Sequence, residues 1–245
     1  MIMAPPLIPA NWQLPDYFRG RLGTAIGRQR MMQHGEQLLL VAHEVPEADE
    51  VTRRGVLFWY DGRQWQASTG HPGKIAIANL IQAYAKRIDA FDQQEAQAQR
   101  AQDYLPLLDG LSPLMRSARN FYEALQEARK AAPQLRELID FRDQMYEMSR
   151  TAELLYQDAK NSMDVAVVRR AEEQAEASHQ MSVAAHRLNS MAALFFPLAT
   201  LGAVFGTTLT DNWSWSRSIG PFVGVVLLGL LTGLMLAAFV RRSSE

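Results

Sequence analysis

The chain contains no cysteine, which excludes disulfides and thiolate metal sites and fits a reducing compartment. Its first residues, Met1-Ile2-Met3-Ala4-Pro5-Pro6, lack a basic region and an apolar core, so no signal peptide is expected. The formal net charge is -1, which gives no electrostatic ground for nucleic acid as a partner. No proline lies between Pro133 and Pro197, and after Pro133 no glycine occurs until Gly202. Charge is plentiful up to Arg187 and then nearly vanishes, so the mean hydropathy of -0.17 averages two unlike regions. No Ser/His/Asp or Cys/His set is legible, and enzymatic chemistry is not expected.

The charge-poor end has a definite pattern. Met191–Leu209 is a charge-free run of 19 residues, and Pro221–Val240 is a second of 20. Nineteen helical residues cover roughly 28 Å, about one hydrocarbon core. The alternative is a hairpin buried in a soluble protein, but two adjacent runs of this purity favour two transmembrane helices. The linker Thr210–Gly220 carries Trp213 and Trp215, residues that favour the lipid–water interface. Arg187 precedes the first run, Arg241 and Arg242 follow the second, and the linker holds only Arg217. Basic residues favour the cytoplasmic side. Both termini are therefore expected in the cytoplasm of a multi-pass inner (plasma) membrane protein, with the lipid bilayer as first partner. Gly202/Gly206, Gly220/Gly224 and Gly229/Gly233 are four apart, a spacing that permits close helix packing in lipid.

The charge-rich part opens as a mixed unit. Glu36–His43 reads as a buried strand. Gly55–Tyr60 and Arg63–Ser68 flank Asp61-Gly62, a hairpin signal in which both central residues take positive φ. Gly70–Lys74 has a phosphate-loop flavour but lacks the spacing and the Ser/Thr after lysine, so it reads as a turn before a helix starting near Ile75. The glycines at 20, 23 and 27 make no dinucleotide fingerprint. Pro106, Pro113 and Pro133 punctuate the helical stretch. Leu135–Arg187 is rich in helix formers, with Leu138, Phe141, Met145, Met148, Ala152 and Leu155 at helical spacing. Turn formers at Asn161–Asp164 offer a break. If the helix instead runs on to Leu209, it is about 110 Å long.

The expected organisation is an α+β membrane protein. Residues 1–74 form a small N-terminal α/β cytoplasmic region, 75–133 its helical part and 134–190 a long stalk helix. That helix continues into the first transmembrane helix at 191–209; an outer loop at 210–220, the second transmembrane helix at 221–240 and a cytoplasmic tail at 241–245 complete the chain.

Specific residues now carry a resemblance. Phe196-Pro197-Leu198, followed by Phe205-Gly206, is similar to the first-span pattern of the CorA family of divalent-cation (magnesium) transporters, which ends in (Tyr/Phe)-Gly-Met-Asn. His186-Arg187-Leu188-Asn189, Gly27-Arg28-Gln29-Arg30, Leu38-Leu39-Leu40 and Phe58-Trp59 also resemble members of that family. The resemblance implies a homo-pentameric funnel with a cytoplasmic domain, a stalk helix lining the pore and an outer helix. It also implies Mg²⁺ or another divalent cation as cargo or regulator, and no covalent cofactor.

One departure bears on selectivity. Gly206-Thr207-Thr208 stands where the family has Gly-Met-Asn, so the implied selectivity ring would be made of threonine hydroxyls, which reach less far than amides. Magnesium gives up water reluctantly, so a site for it must match the hydrated ion's donors. Stepping back along one helical face gives Ala203, Ala199, Phe196, Ala192 and Leu188 as pore-lining residues, a small apolar face without a carboxylate. Apolar constrictions at Leu188 and Phe196 would gate by dewetting; bundle packing alone accounts for them equally well. The outer loop has one acid, Asp211.

Metal ligands are not assigned. His43 with Glu44, Glu47, Asp49 and Glu50 reads as a solvated loop. His179 and His186 share a helix face, with only Glu176 near. The stalk acids Asp89, Asp92, Asp140, Asp143, Asp158 and Asp164 match no family motif. Three functions remain open: a CorA-like metal-cation channel or transporter with an atypical selectivity motif, a non-transporting membrane scaffold or signalling protein with a degenerate CorA fold, and a channel for another ion.

Overall fold

The computed structural model describes residues 8–23, 25–47, 53–205 and 219–242. The chain divides into two compact units, Met1–Val168 and Arg169–Glu245.

The first unit is built on a four-stranded antiparallel meander, β1 (Arg30–His34), β2 (Gln37–His43), β3 (Gly55–Tyr60) and β4 (Trp65–Ala67), in sequential order. An all-antiparallel sheet makes the unit α+β, not the α/β unit expected. The strand expected at Glu36–His43 is β2, where Leu38 through Ala42 are fully buried. Such an unbroken apolar run means that both faces of the strand are covered. Leu38, Leu40 and Ala42 join Val56, Phe58 and Trp65 in the main core. Leu39 and Val41, on the other face, pack with Leu57 and Trp59 against Trp12, Leu14 and Phe18 from the N-terminal segment, whose helix α1 is Asp16–Arg19. Burying each such leucine contributes about 1.5–3 kcal/mol.

The hairpin expected at Asp61-Gly62 joins β3 and β4, with a different turn. Among the described residues only glycines have positive φ; Gly62 has φ 96° and Asp61 does not. Asp61 works through its side chain instead. Its Oδ1 accepts the backbone N–H groups of Arg63 and Gln64, both at 2.8 Å, an Asx-type turn over a longer loop. The second strand is correspondingly shorter than the Arg63–Ser68 expected.

Helices α2 (Gly73–Gln97) and α3 (Ala101–Ala131) follow. The turn at Gly70–Lys74 does start a helix, two residues before Ile75, with Pro72 as N-cap and Gly70 at φ 80°. Gly73 has to be glycine on steric grounds: an added Cβ would lie 2.4 Å from the Trp65 carbonyl carbon. Pro106 and Pro113 do not end elements, since both lie inside α3. Asp103 holds that helix's first turn by accepting the backbone N–H groups of Arg100 at 2.8 Å and Gln99 at 3.2 Å.

The break occurs at Pro133, and α4 then runs Glu137–Phe205 as one helix of 69 residues, straight through Asn161–Asp164. Its first part supplies Leu138, Phe141, Met145, Ala152, Leu155 and Ala159 to the main core. The second unit holds the remainder of α4 and α5 (Ile219–Arg242). Among the described residues no helix is long and apolar enough to cross a membrane. The expected spans at 191–209 and 221–240 both include side chains outside that set, so neither span is established by the fold.

Candidate functional site

The surface of α4 changes character along its length. Up to Ala159 it alternates core and solvent positions; after Ala159 none of its described residues is buried. The five residues expected to line a pore, Leu188, Ala192, Phe196, Ala199 and Ala203, all lie on this helix and are exposed. Their spacing of three and four puts them on one face. Leu188 is 68% and Phe196 74% exposed, with Met191 and Phe195 above half. Helix α5 likewise exposes Leu227, Leu228, Leu231, Leu234 and Met235. Soluble monomers rarely present contiguous apolar patches of this kind, so these faces call for a cover of lipid or protein.

Two threonines in these stretches turn their hydroxyls inward. Thr200 Oγ1 donates to the Phe196 carbonyl at 2.8 Å, and Thr232 Oγ1 donates to the Leu228 carbonyl at 2.9 Å. A hydroxyl satisfied on its own helix asks nothing of its surroundings, which suits an apolar environment. Pro197 lies inside α4 and cannot donate to the Ala193 carbonyl. Of the glycines at four-residue spacing, Gly202 and Gly224 face open space, while Gly229 and Gly233 are buried. The expected selectivity residues Gly206, Thr207 and Thr208, the loop acid Asp211 and, in the acidic stretch after His43, Asp49 and Glu50 lie outside the described residues.

His43 sits elsewhere than expected. It is 8% exposed at the end of β2, and it belongs to a closed hydrogen-bond circuit. Gln29 Nε2 donates to the Ser117 carbonyl at 2.8 Å and to Ser117 Oγ at 3.0 Å. With both amide hydrogens pointed at Ser117, its hydroxyl donates onward to Tyr84 Oη at 2.7 Å. Tyr84 donates to the His43 carbonyl at 3.2 Å. The His43 backbone N–H closes the loop on Gln29 Oε1 at 3.3 Å. The His43 ring meets the Gly27 carbonyl through Nε2 at 2.8 Å, so Nε2 carries the proton. Burial pushes the Tyr84 hydroxyl up to about 12 and lowers His43 against the opposing Gly27 hydrogen bond, with Arg53 adding to the lowering. Both groups are therefore neutral at pH 7. The circuit ties the chain before β1, the end of β2, α2 and α3 together.

Among the described residues no cluster of three or more His, Asp or Glu is placed to hold a metal ion. His179 and His186 both lie on α4 beyond the core. Of the stalk acids, Asp143 pairs with Arg142 at 2.6 Å.

No family model matches this chain, and no curated protein matches it. Its fold is similar to that of the ZntB cytoplasmic domain from Vibrio parahaemolyticus RIMD 2210633, with a TM-score of 0.54 and 9% identity over 65% of this chain and 80% of that one. The full-length CmaX protein superposes more loosely, with a TM-score of 0.42 and 13% identity over 85% of this chain and 77% of that one. The CorA magnesium transporter from Methanocaldococcus jannaschii does so with a TM-score of 0.40 and 12% identity over 88% and 79%. At such identities a likeness shows fold and leaves function to the site. The mixed sheet-and-helix unit therefore shares the fold of the ZntB cytoplasmic domain.

Proposed function

We propose that this chain is one subunit of a CorA-like oligomeric membrane channel or transporter for metal cations, Mg²⁺ or another divalent ion, with an atypical selectivity motif. The observation that carries this reading is the continuity of α4. One helix leaves the core of a ZntB-like domain at Ala159 and continues to Phe205 with an exposed apolar stripe. In the proposed assembly, residues 191–209 and 221–240 cross the inner membrane, both termini are cytoplasmic, and copies of α4 surround a pore. A pentamer follows from the resemblance to the CorA family. The work done is passage of an ion, and no residue is assigned a chemical step.

Leu188, Ala192, Phe196, Ala199 and Ala203 would then face the pore, with Leu188 and Phe196 as apolar constrictions that conduct when wetted. Gly206-Thr207-Thr208 would form the outer ring, and Asp211 would be the acid nearest its mouth. Five threonine hydroxyls make a wider and weaker oxygen ring than five amides, so the preferred ion differs from that of a Gly-Met-Asn ring.

The same threonines favour a second reading, a scaffold or signalling protein that keeps the funnel without transport, or a channel for another ion. Flux of Mg²⁺ and Co²⁺ into proteoliposomes separates them. Saturable flux supports transport. Absence of flux from the wild type, with flux from the Thr207→Met, Thr208→Asn double variant, supports loss or retuning of transport.

A further inference from the structure

We infer that the groove between α3 and α4 in the first unit binds a nucleotide. The inference goes beyond the transport reading and does not depend on it. The groove encloses about 400 Å³ and is lined by consecutive turns of both helices. A space of that size lies in the range of small-molecule sites. Three guanidiniums border it, Arg116 and Arg119 from α3 and Arg150 from α4.

Their present partners hold them weakly. Arg119 pairs with Glu123 at 3.2 Å and Arg150 with Glu153 at 2.9 Å, each within its own helix and with both partners about half exposed or more. Exposed pairs of this kind contribute little. Arg116 makes only a 3.4 Å bond from Nε to the Ser112 carbonyl and has no carboxylate partner among the described residues. A phosphate offers bidentate acceptors to guanidiniums and outcompetes a single exposed carboxylate. The two glutamates set a limit: the groove suits a compact, highly charged phosphate chain that can displace them.

The aromatic pair supplies the other half. Tyr122 and Tyr146 line the same groove, with ring centroids 5.4 Å apart and planes tilted by 56°. Tyr146 is 50% exposed and so offers a free ring face. Planar bases stack on such faces irrespective of sequence. An inorganic anion would use the arginines and leave the tyrosines idle, whereas a nucleotide uses both. Since α4 forms one wall, occupancy would bear on the helix that leaves the core after Ala159.

The test is calorimetric titration of the full-length protein in detergent with ATP, adenosine and inorganic triphosphate, with EDTA present so that no metal site contributes. ATP should bind saturably and more tightly than either fragment. Arg116→Ala and Arg150→Ala should each weaken ATP binding by about tenfold. Tyr146→Ala should weaken ATP without changing triphosphate, and Tyr146→Phe should retain ATP binding. These side chains are exposed, so circular dichroism should be unchanged. Absence of saturable ATP binding, ATP binding that survives all the alanine substitutions, or triphosphate binding as tight as that of ATP would overturn the inference.

Discussion

Lys74 Nζ lies 2.8 Å from Glu137 Oε1, joining the first turn of α2 to the first turn of α4. The pair fastens the start of the long helix to the sheet-bearing unit beside Trp65. Burial opposes ionisation of Glu137, but the hydrogen bond and charge of Lys74 outweigh it and hold the carboxyl below its usual range. Trp65 also favours the carboxylate, although its Nε1 falls short of hydrogen-bond geometry with any described residue.

A group whose folded pKa is depressed stabilises the fold above its unfolded value, and that contribution is lost as pH falls through the folded value. Glu137→Gln should therefore narrow the stability gap between neutral and acidic pH. Lys74 is 59% exposed, so Lys74→Ala should cost no more than about 1 kcal/mol. Urea unfolding of both variants across acidic pH checks the prediction. An unchanged pH dependence in Glu137→Gln would contradict it.

The buried circuit makes a second pH prediction with a different window. His43 is depressed below its ordinary 6.5 in the folded protein. The unfolded chain then binds more protons just below that value, so stability is full above it and falls as pH drops toward the folded pKa. His43→Asn should flatten this part of the profile. Gln29→Ala leaves the buried His43 N–H without its acceptor and the Ser117 carbonyl and hydroxyl without their donor, and should cost about 1–3 kcal/mol. Tyr84→Phe should cost about 1 kcal/mol. Denaturant midpoints from pH 5 to 8 measure all three.

Gly73 sets how closely α2 approaches β4. Its added Cβ would meet the Trp65 and Gln66 backbone at 2.4 and 2.6 Å, and backbone cannot rotate away. Gly73→Ala should destabilise by about 1–3 kcal/mol through overpacking. Thermal unfolding measures this, and Gly35→Ala or Gly62→Ala is no substitute control, because those positions have positive φ.

The apolar stripe makes a prediction about gating. If Leu188 closes the pore by dewetting, Leu188→Asn should raise basal ion flux, because a polar ring wets more readily. Phe196→Asn should do the same at its own level. Stopped-flow dye measurements on vesicles read the rate. Flux equal to wild type in both variants would assign these side chains to packing alone.

Much of this architecture was legible wherever one physical signal dominated. The unbroken apolar run of β2 announced a buried strand, and the absence of proline and glycine between Pro133 and Pro197 announced a long helix. The turn formers at Asn161–Asp164 did not break it: Asn161 and Asp164 are exposed, half-buried Ser162 donates its hydroxyl to Glu95 at 3.2 Å, and such residues cost little beside the propensity of their neighbours. Other features needed the third dimension. β1 is five residues with polar ends, and its clearest mark is the turn glycine Gly35 at φ 60°. Trp12, Leu14 and Phe18 cover the far face of the sheet from a segment whose described residues include one short helix, α1. Gln29 and Ser117 are 88 residues apart, and no local pattern announces such a pairing. His43 was misplaced for that reason: its acidic neighbours suggested solvent, while the strand carried it into the core. The helical spacing of Leu188, Ala192, Phe196, Ala199 and Ala203 was legible, and the five do share one exposed face of α4; that this face lines a pore is the proposal.

The most direct test of the central claim is Mg²⁺ and Co²⁺ entry into proteoliposomes that hold an indicator dye, comparing wild type with Thr207→Met, Thr208→Asn. The account predicts saturable entry with the wild-type protein and a changed ion preference in the double variant. No entry through either protein, under any cation gradient, would contradict it.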